Sequence, residues 1–172
     1  MEWNKKNDWK SEDVALFVKE YSDRLIRYSF CFVKDSAAAE EIVLDALATF
    51  IYRNAEKALN KTYLYRIIRN RSLDYIRVHR KFVPLDDVDV IGDSIEESSE
   101  QKERSTILYK CLNKLPKDYR AVLYLHYLEG FSVGDVAKTL SKNKKQVYNL
   151  LARGKTSLKE LLLKEGFCYE DL

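Results

Sequence analysis

Between Phe131 and Leu162 two apolar stripes of helical period are separated by only three polar residues, Ser141 to Asn143, and that spacing leaves few ways to fold. Val133, Val136, Ala137 and Leu140 stand at relative positions 0, 3, 4 and 7, one face of a short helix. Ser132 precedes it as an N-cap, with Asp135 three residues on in something close to a capping box. Asn143 and Gln146 repeat that spacing at the head of a second helix, an arrangement worth about 1 kcal/mol. This second helix carries Val147, Leu150, Leu151, Leu158, Leu161 and Leu162 on its packing face. Its other face shows Lys144, Lys145, Gln146, Tyr148, Asn149, Arg153 and, further on, Lys155. The pair reads as a helix-turn-helix whose second helix suits a major groove. Its amides and phenol match base edges, and Lys144, Lys145, Arg153 and Lys155 match phosphates. Any two amphipathic helices joined by a short turn look similar, so the rest of the chain has to decide.

Five glycines and two prolines among 172 residues leave long helices uninterrupted, and no stretch alternates long enough for a strand, so the expected class is all-α. No run approaches 18 consecutive apolar residues, and MEWNKKNDWK at the start has no apolar signal region, which predicts a soluble, cytoplasmic protein without membrane insertion. Cys31, Cys111 and Cys168 are odd in number and widely spaced, unlike a disulfide framework or a metal knuckle. His79 and His126 are too few to complete a zinc site with them. Gly-rich phosphate loops and nucleophilic triads are absent from the sequence, and pairs such as Glu40-Glu41 suit a solvated or partner-binding face better than catalysis. The expectation is a non-enzyme that needs no cofactor.

The net charge of +3 hides a pattern. Residues 1–83 hold 16 Lys+Arg against 12 Asp+Glu; residues 84–103 hold one Lys against eight acids; residues 104–172 hold 13 against seven. Two basic blocks flank an acidic strip, which predicts two nucleic-acid-facing domains, 11–83 and 104–165, joined by a flexible acidic linker over 84–103.

Within the first block, Val14, Phe17, Val18, Tyr21, Leu25, Tyr28 and Phe32 form one stripe of a helix capped by Ser11 and reaching about Val33. Ser36 is the expected cap of a second helix to about Asn54, with Ile42, Val43, Ala46, Phe50 and Ile51 facing the core and Glu40 and Glu41 in its early turns. A third helix, about Lys61 to Arg80, sets Leu64, Ile67, Ile68, Tyr75 and Val78 on one face and Tyr63, Arg66, Arg69, Asn70, Arg77 and Arg80 opposite. Seven cations, from Lys61 to Lys81, meet one acid there, Asp74. Tyrosines among arginines suit stacking on unpaired bases while guanidinium groups hold the backbone; the plainer alternative is core packing, above all for Tyr75. Pro84 ends the helix, and the acidic, Ser-rich strip that follows turns helical from about Ser99. Leu108 and Leu112 belong to the next helix, and Leu115-Pro116 opens another over 117–128, ending near Glu129-Gly130.

With both blocks in order, the chain resembles the bacterial RNA polymerase sigma factors of the extracytoplasmic-function class. DSAAAEEIVLDALATFIYRN (35–54) is similar to the family region that docks on the polymerase clamp coiled coil. TYLYRIIRNRSLDYIRVHRK (62–81) resembles the segments that melt and read the −10 element, with Asn70, Asp74 and Arg77 on the family's N-x-x-x-D-x-x-R frame. Residues 112–162 resemble the −35-reading domain, with Leu115-Pro116, Arg120, Gly130, Ala137, Val147 and Arg153 in place. Leu44 stands where the family has Gln, Tyr52 and Tyr63 where it has Trp, Asp135 where it has Glu, and Ser141 where the turn has Gly.

The resemblance implies a factor that brings core polymerase to a promoter class. Asp35, Glu40, Glu41 and Asp45 would face the clamp, with a further contact to the polymerase flap. Tyr63, Arg66, Arg69, Asn70, Arg77, Arg80 and Lys81 would hold the −10 strand. Lys144, Lys145, Gln146, Tyr148, Asn149, Arg153 and Lys155 would bind the −35 element. An anti-sigma partner is implied by the family alone. The other readings are a free-standing helix-turn-helix regulator and a sigma-like decoy that binds polymerase without directing initiation.

Overall fold

The structure, a computed structural model, describes residues 11–54, 60–79 and 99–167. Seven α-helices account for nearly all of them: α1 (Ser11–Val33), α2 (Ser36–Asn54), α3 (Lys61–His79), α4 (Ser99–Lys114), α5 (Lys117–Leu123), α6 (Val133–Leu140) and α7 (Lys144–Lys164). No strand occurs among the described residues, and the fold is all-α. The helices belong to two compact units, one holding α1–α3 and the other α4, α5 and α7. Most of the acidic strip expected to be a linker, like Arg80, Lys81 and Cys168, lies outside the described residues, but α4 starts at Ser99.

In the first unit α1, about 34 Å long at 1.5 Å per residue, packs against both α2 and α3. Its expected stripe faces inward: Leu25 and Tyr28 are fully buried, and Phe17, Tyr21 and Phe32 nearly so. The aromatic rings are the bulk of this core. Phe17 stacks on Tyr21 with centroids 4.7 Å apart, and Tyr28 meets Phe32 edge-on at 5.2 Å and Tyr65 at 5.1 Å. Burial pushes the Tyr28 phenol well above its ordinary pKa, so it stays protonated. A buried serine pair adds a polar tie between α1 and α3. Ser72 donates to the Ile68 carbonyl (2.8 Å), and Ser29 lies 2.9 Å from the Ser72 oxygen, which leaves Ser29 as the donor.

Two details differ from expectation. Asp35, not Ser36, caps α2, its carboxylate accepting the Ala38 N–H at 2.9 Å. On α3 the buried residues are Leu64, Tyr65, Ile68 and Ser72, whereas Val78 is 76% exposed. Tyr65, one of the tyrosines lying among the arginines of α3 that suited stacking on bases, is therefore a core residue.

In the second unit α7 packs on α5 and α4. Residues 120–125 are buried without interruption, so the later part of α5 and the turn after it are enclosed on all sides. The helix expected over 117–128 is α-helical to Leu123 and then widens to a π turn over Tyr124–Leu128, closed by the Glu129 N–H on the Tyr124 carbonyl (3.0 Å). The wider turn buries both Tyr124 and Leu125 and leaves Tyr127 exposed. At Gly154 α7 lies close against α5: a Cβ there would lie 3.3 Å from the Tyr119 Cβ and from Leu123 Cδ1. Buried Arg120 donates from Nη1 to the Asn113 carbonyl at 2.8 Å, tying α5 to the end of α4. At the far end of α7, Lys114 donates to Glu165 (2.7 Å), and Lys110 approaches the other carboxylate oxygen (3.9 Å).

Candidate nucleic-acid interface

The turn between α6 and α7 is built as its polar residues require. The Ser132 hydroxyl accepts the Asp135 N–H (3.1 Å) and donates to the Asp135 carboxylate (2.6 Å). The reciprocal bond expected of a full box is replaced by this side-chain pair. Ser141 ends α6 in the left-handed region at φ 53°, and the Lys142 N–H returns to the Ala137 carbonyl at 2.9 Å. At the head of α7 the expected box is complete: Asn143 accepts the Gln146 N–H (2.8 Å), and Gln146 accepts the Asn143 N–H (2.9 Å).

With its start fixed this way, α7 divides by face. Val147, Leu151, Gly154 and Leu162 are buried, and Leu150, Leu158 and Leu161 are half-buried. Lys144, Lys145, Gln146, Tyr148, Asn149, Arg153 and Lys155 are all exposed, as are Ala152 and Thr156. The Thr156 hydroxyl bonds back to the Ala152 carbonyl (3.1 Å). Four cations within three helical turns, around a phenol and two amides, give a surface whose chemistry suits phosphates at its edges and hydrogen-bonding groups between them.

On α3, Asn60 caps the helix through the Tyr63 N–H at 3.2 Å. Tyr63, Arg66, Asn70 and Arg77 are exposed and fall within an arc of about 60° at 100° per residue. Arg69, half-buried, donates to the Asn70 side chain (3.2 Å), and Arg77 pairs with Asp74 (2.8 Å). Tyr63 is 47% exposed, with its ring centroid 6.2 Å from that of Phe50, so a core residue steadies a ring open to solvent.

On α2 the acids divide in role. Glu40 and Glu41 are exposed, Asp35 caps the helix, and Asp45 is ion-paired with Arg71 of α3, which also donates to Thr49 (3.0 Å). One of the cations counted on α3 is therefore held by α2. Leu44 and Tyr52, 54% and 88% exposed, lie on the same side as Glu41, Asp45 and Ala48. Sequence reasoning passed over these two as interface residues, although period 3.6 sets both away from Val43, Ala46 and Phe50. Among the described residues no group of three His, Cys, Asp or Glu is suited to a metal ion, and no helix is long and apolar enough to cross a membrane. Cys31 and Cys111 are buried, and burial, followed by the Glu165 charge, pushes the Cys111 thiol up.

Residues 17–82 match the family model for sigma-70 region 2, and residues 105–158 match that for sigma-70 region 4. The chain belongs to the sigma-70 family. It is a sigma factor of the extracytoplasmic-function class, which directs core RNA polymerase to a promoter class and initiates transcription there. Its relatives include the extracytoplasmic-function RNA polymerase sigma factor SigM of Bacillus subtilis, 25% identical over 147 residues, covering 82% of this chain and 90% of SigM. The RNA polymerase sigma factor SigZ of the same organism is 32% identical over 108 residues, 63% of this chain and 60% of SigZ. Among solved structures, the sigma factor RpoE of Bartonella quintana, in complex with the anti-sigma factor NepR, superposes with a TM-score of 0.69 at 22% identity. That likeness, over 88% of this chain and 97% of RpoE, shows the fold.

Proposed function

We propose that this sigma factor works in the cytoplasm through three separate surfaces of its helices, without catalysis or a cofactor of its own. The domains that carry them run over 11–83 and 104–165, with residues 84–103 as the link. The exposed side of α2, with Glu40, Glu41 and Asp45 beside Leu44 and Tyr52, docks on the polymerase clamp. Asp35 serves it by fixing the start of that helix. Tyr63, Arg66, Arg69, Asn70 and Arg77, continued by Arg80 and Lys81, receive the unpaired −10 strand. Flipping a base costs a few kcal/mol, which stacking on Tyr63 offsets. Lys144, Lys145, Arg153 and Lys155 hold −35 phosphates around the base-facing residues of α7. An anti-sigma protein, as RpoE has in NepR, restrains the factor.

The observation that carries this reading is the division of α7, where every residue expected at DNA is exposed and the residues between them hold the fold. Run-off transcription with purified bacterial core polymerase over a genomic fragment library tests it. Discrete starts that need the protein support the reading. Association with core but no new starts would indicate a decoy, and no association a free-standing regulator. The double variant Glu40→Lys/Glu41→Lys is expected to abolish those starts while the melting temperature stays within a degree or two, because both side chains are exposed and distant from the core.

A further inference from the structure

Two amides, Gln146 and Asn149, stand on the exposed side of α7, and the structure treats them differently. The Gln146 side-chain oxygen accepts the Asn143 N–H in the capping box. An amide reads adenine by using both ends at once, its oxygen accepting from N6 and its NH2 donating to N7. Gln146 is held by its oxygen at the end of the helix, so it reaches an adenine only by sharing that oxygen or giving up the capping bond. Asn149, one turn on, is exposed and makes no hydrogen bond through its side chain. Three residues further along the same face lies exposed Ala152, and beyond it the Thr156 hydroxyl is already bonded to the backbone. The strip through 145, 149, 152 and 156 therefore has one free planar donor-acceptor pair, with a single methyl group beside it.

We propose that Asn149 and Ala152 set the base preference of this factor in the upstream promoter element. Asn149 takes an adenine, and Ala152 packs on the methyl group of a thymine next to it, either the partner of that adenine or its neighbour. Guanine offers two acceptors and cytosine one donor where Asn149 presents one of each, so both are rejected. A longer side chain at 152 would fill the space the thymine methyl needs. This assignment rests on the sigma-factor reading of α7 and names the chemistry it selects.

The test is selection from a promoter library with a randomised upstream element, using core polymerase with the full chain. The wild type selects adenine at one position. Asn149→Ala loses that preference at that position alone, with discrimination falling about five- to 150-fold, and keeps the others. Deoxyuridine in place of the thymine weakens wild-type use of the promoter about fourfold, the worth of one buried methyl, and leaves Ala152→Gly indifferent. An unchanged profile for Asn149→Ala overturns the assignment. Starts that require the wild-type chain but show no upstream preference overturn it as well, with the proposed function intact. No start at all overturns the proposed function and this assignment with it.

Discussion

Ser141 is a left-handed residue with a β-carbon, and its backbone has to hold φ 53° for the turn between α6 and α7 to close. That conformation costs a non-glycine residue roughly 1–2 kcal/mol, part of which glycine returns through its freer unfolded chain. Ser141→Gly is expected to stabilise the second unit by about 1 kcal/mol, read as a higher melting temperature. A lower one would mean that the serine side chain contributes to the turn. At single residues the sequence was legible wherever a partner sits three or four positions away. The Asn143–Gln146 box and the Ser132 cap were both readable for that reason. It was illegible where two neighbours compete for one role. Asp35 and Ser36 are both good caps, and only the path of the chain into α2 decides between them.

The helices themselves were legible because their stripes are long. Seven positions on α1 fix a face that no single residue would. Periodicity assigns a face but not how far along the helix a partner covers it, and Val78 was misjudged on that account. Nor does it foresee the π turn after Leu123, which depends on how the enclosed helix fills its surroundings. The junction of α4 with the end of α7 shows a different dependence. The hydrogen bond from Lys114 lowers the Glu165 pKa below the ordinary carboxylate value, and the same bond raises that of Lys114. A lowered carboxylate stabilises above its unfolded pKa of about 4.3, and that contribution is lost as pH falls through the folded value. The raised lysine stabilises fully below about 10.4 and loses its contribution as pH rises through its own folded value. The clasp therefore holds across the neutral range and weakens at both ends. Both groups are partly open to solvent, so the effect is small. Glu165→Gln should flatten the acid limb of the melting temperature against pH, and an unchanged limb would assign it to other carboxylates.

Taken over its full length, the chain is nearly neutral, yet Lys144, Lys145, Arg153 and Lys155 gather on the exposed side of α7. Attraction to a polyanion from so small a net charge has to come from local contacts, each releasing counterions. Removing Lys144, Lys145, Arg153 or Lys155 singly should lower the slope of log affinity against log salt by about 0.9 each, measured for the polymerase complex on its selected promoter. A slope that does not move would take that residue off the phosphates. The two family regions could be read from sequence because charge and period change together between them. Which side chains remain free could not be, because that depends on bonds such as Asp45 to Arg71 that join residues far apart in the chain. The division of α7 reaches beyond this molecule. Tyr148, Asn149, Ala152 and Arg153 are exposed, and the helix is held by Val147, Leu151 and Gly154 between them. Mutations at the first set escape the selection for folding that constrains the second. On the proposed reading of α7, duplicated copies of such a gene can drift to different promoters without passing through unstable intermediates, and one scaffold can come to serve many regulons.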